Sequence, residues 1–149
     1  MASPNDILRK LSADHFGAVV SASPKKFREE VFRRAGVKNR GGGAFALKST
    51  GKTNARMKKL RKEMLEGFEL EAEIAEELIR NYLYTRRPML AEALDFLEVE
   101  HDEGLTDADL DFIQELPAER GKHLKDLLCR NHEAEDVELY LAFMDVPTE

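Results

Sequence analysis

Residues 55–86, ARMKKLRKEMLEGFELEAEIAEELIRNYLYTR, decide the fold. Met57, Leu60, Met64, Leu65, Phe68, Ile74, Ala75, Leu78, Ile79 and Tyr82 recur at helical spacing, which gathers apolar side chains on one face. The stripe predicts a helix over most of 55–86, with Gly67 as its weak point. Its surface runs from basic (Lys58, Lys59, Arg61, Lys62) to acidic (Glu69, Glu71, Glu73, Glu76, Glu77). That order opposes the helix dipole, which favours anions at the N-terminal end and cations at the C-terminal end. Packing must therefore hold the helix, or its basic end has a partner.

The same polarity extends over the whole chain. Residues 1–66 carry 16 basic and 6 acidic side chains, a net charge of +10, and residues 67–149 carry 7 and 23, a net of −16. The overall −6 hides both halves. Blocks of like charge repel themselves and attract the opposite sign, so the asymmetry points to partners.

Toward the N-terminus, Ser3-Pro4 places a capping hydroxyl before a proline at the first helical position. Ile7, Leu8, Leu11, Phe16, Val19 and Val20 follow at near-helical spacing, and Ser12 and Asp14 divide the stretch. Ser23-Pro24 repeats the start signal. Phe27, Val31, Phe32 and Ala35 form its apolar face, and Gly36 stands where a left-handed cap belongs. From 37 to 54, Asn39, Gly41, Gly42, Gly43, Ser49, Thr50, Gly51 and Asn54 deny helix and strand a steady run.

Toward the C-terminus, Pro88 ends the central helix and opens the next, whose face is Met89, Leu90, Ala93, Leu94 and Leu97. His101 to Gly104 reads as a polar turn. Thr106 and Asp109 read as a capping pair before a short helix carrying Leu110, Ile113 and Leu116, stopped by Pro117. Leu124, Leu127 and Leu128 mark another helix, and Val137 to Met144 the last. The expected fold is all-α, a bundle of about five to seven helices. It comprises a basic N-terminal helical arm (1–36), a Gly-rich flexible loop (37–54) and an acidic helical bundle (55–149). The expected core draws on Leu60, Met64, Phe68, Leu78, Ile79, Leu90, Leu94, Leu97, Leu124, Leu128, Tyr140 and Phe143.

A chain of 149 residues is long enough for a core without disulfide staples. Cys129 stands alone, so no intrachain disulfide forms, which suits a reducing compartment. No apolar run approaches the roughly 20 residues of a membrane span, and the start has no long apolar signal segment. The expected location is the cytoplasm.

The candidate binding residues are the basic ones. Lys25, Lys26, Arg33, Arg34, Lys38, Arg40, Lys48, Lys52, Arg56, Lys58, Lys59, Arg61 and Lys62 flank a Gly-rich segment whose backbone could approach a phosphate closely. Neutralising phosphates releases condensed counterions, so such a surface binds nucleic acid with steep salt dependence. Phe45 is the only aromatic between Phe32 and Phe68, which favours backbone contact over base stacking. The competing expectation is that the basic part pairs with an acidic surface, on this protein, on a second copy or on another protein. Ser23-Pro24-Lys25-Lys26 resembles the minor-groove motif of histone tails. A helix cap explains the Ser and Pro equally, and is preferred.

Other constellations are weaker. Gly51-Lys52-Thr53 matches the end of a phosphate-binding loop, but Ala46 replaces its first glycine and no buried strand precedes it. Glu98 and His101 have di-iron spacing without a second such pair. Asp107, Asp109 and Asp111 begin like a calcium loop, but Phe112 takes the place of its glycine. Cys129 reads as a small buried thiol, and no nucleophile motif surrounds any Ser or Cys. Tyr82, Tyr84, Arg86 and Arg87 group the residue types that dominate protein interfaces, though the arginines also suit a helix end. The expectation is a non-enzymatic interaction module. Its basic segment, 25–62, contacts an anionic partner, foremost nucleic acid backbone. The alternative is a protein–protein adaptor or self-assembling protein, in either case with no cofactor, metal or membrane.

Overall fold

A computed structural model describes residues 3–37 and 49–149, and for 49–54 the backbone alone. Regular structure among these residues is helical, apart from one bridge between Asp102 and Leu105. Eight α-helices are present among the described residues, against the about five to seven expected. They are α1 (Pro4–Lys10), α2 (Ala13–Ser21), α3 (Lys25–Arg34), α4 (Ser49–Leu65), α5 (Ala72–Leu83), α6 (Arg87–Phe96), α7 (Ala118–Asn131) and α8 (Ala134–Phe143). The chain divides into two compact units, Ser3–Tyr82 and Leu83–Glu149. The Gly-rich loop expected over 37–54 lies outside the described residues at 38–48, and its last part, from Ser49, is the first turn and a half of α4.

In the first unit, Ser3 caps α1 by accepting from the Asp6 N–H, with Pro4 at the first position. Ser12 caps α2 in the same way through the His15 N–H. Ser23 does not cap α3. Its hydroxyl is buried and accepts from Asn81 Nδ2 at 3.0 Å, because a partner on α5 is within reach, and Pro24 precedes the helix with no side-chain cap. The segment expected as an arm supplies core: Leu8, Phe16, Val19, Val20, Val31 and Phe32 are buried, and α1 and α2 both pack on α4.

The helix expected over 55–86 is two helices. Gly67 has φ +114°, its N–H bonds to the Met64 carbonyl at 3.2 Å, and the Phe68 N–H reaches back to Glu63 at 2.9 Å. This paired closure satisfies carbonyls that a helix end leaves open, and glycine takes the left-handed step without a Cβ clash. Gly36 ends α3 with the same pair of bonds, to Arg33 and Phe32. The linker after Gly67 is pinned by Asn5, which exchanges two hydrogen bonds with the backbone of Leu70.

In the second unit, Pro88 stands in the first turn of α6, as expected. α6 ends with Glu98 at φ +60° in the same closure that glycine makes elsewhere. A tight turn follows, with Glu103 and Gly104 both at positive φ and reciprocal backbone bonds between Asp102 and Leu105. The helix expected from Thr106 is shorter and tighter: a 3-10 turn over Asp111–Glu115. Thr106 and Asp109 instead bond N–H groups two residues ahead, on Ala108 and Asp111, and these local turns compete with helix. Gly121, in α7, lies under the backbone of Pro147, whose oxygen would stand 1.6 Å from any Cβ there. Of the twelve expected core residues, Phe68 and Phe143 are half-buried and the others are buried.

Candidate functional site

The basic residues of 25–62 fall into two groups. Among the described residues, Arg33, Arg34 and Arg56 are paired with carboxylates of the protein. Arg56 forms a bidentate pair with Glu29, at 3.0 and 2.7 Å, and its guanidinium lies over the Phe32 ring at 4.2 Å. Arg33 and Arg34 converge on Glu30, and Arg34 also pairs with Glu71. The hydrogen bonds from Arg33 outweigh the opposing effect of burial and, with Arg34 adding to them, hold the Glu30 carboxyl at about 2. The hydrogen bond from Arg56 lowers that of Glu29. The Arg34–Glu71 pair, and a further pair between Arg9 and Glu69, join basic and acidic stretches that the sequence keeps far apart.

Five described lysines have no such pairing. Lys25 and Lys26 are exposed on the first turn of α3, and Lys58, Lys59 and Lys62 are exposed on α4. None of the five has a carboxylate within ion-pair distance among the described residues. Lys38, Arg40 and Lys48 lie outside the described residues, and the Lys52 side chain with them.

Lys58 and Lys62 border a groove between α2 and α4, of about 680 Å³. Phe16, Gly17, Met57 and Leu65 give it an apolar surface, Arg61 joins the lysines, and Asp14 and Glu66 are its acidic members. Arg61 is anchored there by a long bond to the Leu11 carbonyl, 3.4 Å. Leu65 is 51% exposed, the most of any large apolar residue among those described. The sequence pattern counts Leu65 in the apolar stripe. Met57, Leu60 and Met64 make the buried stripe, whereas Leu65 stands four residues after Arg61 and seven after Lys58, on the cationic flank. The α2 side, Ala13, Gly17 and Ser21, gave no sequence signal beyond a glycine inside a helix.

The Tyr/Arg group is dispersed. Tyr82 is buried in the first unit, its ring edge-on to that of His15 at 5.4 Å. In the second unit, Tyr84 is exposed and its carbonyl accepts from Arg87 Nε. Arg86 pairs at 2.9 Å with the buried carboxylate of Asp136. Among the described residues, no three His, Cys, Asp or Glu side chains converge as a metal site. His101 bonds Asp95 at 2.7 Å and takes the Gly104 N–H, and His132 faces Glu92. Cys129 is exposed, not buried, because α7 turns Leu124 and Leu128 inward and leaves 129 on the outer side. No described helix is long and apolar enough to cross a membrane.

No family model, curated protein or solved structure matches this chain.

Proposed function

We propose that the chain is a non-enzymatic interaction module whose basic segment, 25–62, contacts an anionic partner. One observation carries this: Lys58, Lys59 and Lys62 stand exposed on a single helix without a carboxylate partner among the described residues, while Arg33, Arg34 and Arg56 are already neutralised. Uncompensated cations on one rigid element are a standing attraction for anions. An acidic protein surface fits better than a nucleic acid backbone, because phosphates have nothing to offer Met57 and Leu65 in the adjoining groove. Nucleic acid is the second reading, favoured by Lys25 and Lys26 exposed together on the first turn of α3.

Fluorescence anisotropy of the full chain with labelled poly-glutamate and with labelled duplex DNA, at rising salt, tests both. The expected result is binding at low salt that salt abolishes, weakened in the Lys58→Gln/Lys62→Gln variant. A duplex held through these lysines would lose about two from its logarithmic salt slope in that variant. No binding to either probe at low salt, or binding indifferent to salt, would overturn the proposal.

A further inference from the structure

Four large apolar side chains are exposed among the described residues: Leu65, Tyr84, Leu105 and Phe112. Their setting divides by charge. Leu65 lies in the α2–α4 groove beside Lys58, Arg61 and Lys62. Leu105 and Phe112, 37% and 40% exposed, lie in the most acidic stretch of the second unit, among the exposed carboxylates of Asp107, Asp109 and Asp111. Each stretch thus combines unburied apolar surface with an excess of one sign of charge, three cations against Asp14 and Glu66 at the groove and carboxylates alone over 102–115, and the two excesses are opposite. Between 102 and 115 the chain has no basic residue at all.

Resting on the anionic-partner role above, we propose that the groove's occupant is the 105–115 segment of a second copy of this chain. Phe112 and Leu105 of one molecule meet Leu65 of the next, over the groove floor formed by the buried Met57 and Phe16, and the aspartates meet Lys58 and Lys62. A groove of about 680 Å³ accommodates a phenyl ring and a leucine side chain together. The apolar contact supplies affinity, and the charge pairs supply register and rate. Asp14 and Glu66 at the groove oppose an acidic visitor and leave the three cations as the points that select it.

Such a contact uses different surfaces on the two molecules. It is head-to-tail, and a joined pair still offers one free groove on one molecule and one free acidic segment on the other, so it builds rings or open chains. This suggests a decisive test. Sedimentation velocity of the full chain under reducing conditions should show concentration-dependent association at low salt and monomers near 1 M, where screening shortens to about 3 Å. A groove variant, Lys58→Glu/Lys62→Glu, and a segment variant, Asp109→Lys/Phe112→Ala, should each weaken self-association at least about tenfold. All four positions are exposed, so helix content by circular dichroism should be unchanged. Mixed together, the two variants should form a heterodimer and stop there, because only one intact groove and one intact segment remain per pair.

A wild-type chain that stays monomeric at low salt overturns the proposal, as does a mixture that fails to pair when both variants are folded. If that chain nevertheless binds poly-glutamate through Lys58 and Lys62, self-association falls and the anionic-partner role stands. If it binds neither anion probe, both fall.

Discussion

Asn5 and Leu70 hold each other twice: Asn5 Nδ2 donates to the Leu70 carbonyl at 2.8 Å, and the Leu70 N–H donates to Asn5 Oδ1 at 3.0 Å. Both residues are buried, and 65 positions separate them. The side-chain amide does for Leu70 what a neighbouring strand would do. It satisfies a donor and an acceptor that the linker between α4 and α5 would otherwise bury unpaired. Asn5→Ala leaves both groups without a partner and should destabilise the protein by about 2–4 kcal/mol. Urea denaturation checks this as a lower midpoint at unchanged slope. A loss under about 0.5 kcal/mol would mean that water replaces the amide at little cost.

Gly121→Ala should be among the most damaging single-methyl changes in the second unit. The added carbon would stand 1.6 Å from Pro147 O and 3.2 Å from Val146 Cγ1. The first obstacle is backbone and cannot rotate away, so the C-terminal residues must leave α7. The expected loss is about 1–3 kcal/mol. Faster amide exchange at Val146, whose N–H bonds the Leu141 carbonyl, should accompany it. Gly17→Ala is the contrast, since its nearest neighbour outside its own helix would be Met57 Cγ at 3.7 Å. It should gain about 0.5–1 kcal/mol by replacing glycine inside α2.

These cases show what the sequence could and could not disclose. The starts at Ser3-Pro4 and Ser12, the stop at Gly36 and the turn before Pro88 were legible, because caps and proline act through adjacent residues. The α4 and α5 stripes were legible because periodicity is local too. The break at Gly67 was underestimated. A glycine inside a helix costs only about 1 kcal/mol, and the Asn5 anchor that fixes the linker is far away in sequence. The basic residues were all visible, and the pairing of Arg33 and Arg34 with Glu30 follows from helical spacing alone. The Arg56–Glu29 and Arg34–Glu71 pairs, however, depend on residues 27 and 37 positions away arriving by three-dimensional packing. The groove needed α2 and α4 side by side, and a charge count carries no such information.

Glu98→Gly and Asp145→Gly should each stabilise the protein. Both residues close a helix at positive φ, 60° and 55°, with the bond pattern that Gly36 and Gly67 use. A side chain there costs about 1–2 kcal/mol, partly offset by the extra freedom glycine has when unfolded, for a net gain of about 0.5–1 kcal/mol. Gly104→Ala should do the opposite, since its Cβ would meet the Arg87 carbonyl oxygen at 2.8 Å. Thermal unfolding of the three variants checks the pair of signs.

The alkaline limit of stability should depend on Tyr140. Burial pushes its phenol up to about 12, from an ordinary value near 10. The folded state therefore prefers the neutral phenol. This contribution, on the order of 2 kcal/mol, is intact below pH 10 and is lost as pH rises from 10 toward 12. Tyr140→Phe should flatten the pH dependence of stability across that range, measured by urea titration at each pH. An unchanged slope would show that Tyr140 ionises equally in both states.

The acid limit runs the other way through Glu30, held at about 2 chiefly by the Arg33 hydrogen bonds. Its contribution is present above its ordinary value near 4.5 and is lost as pH falls from there toward 2. Glu30→Gln should make stability less steep over that interval, checked by acid denaturation followed by circular dichroism.

The single cysteine gives each molecule one covalent valence. Cys129 is exposed on α7, and the chain has no second thiol to compete for it. Oxidation can therefore join two molecules and no more, and the product has a fixed mass whatever the protein concentration. The same site accepts one dye or spin label per chain without disturbing a buried side chain. A reporter on α7 could thus follow the second unit alone while the lysines of α4 are titrated with their partner.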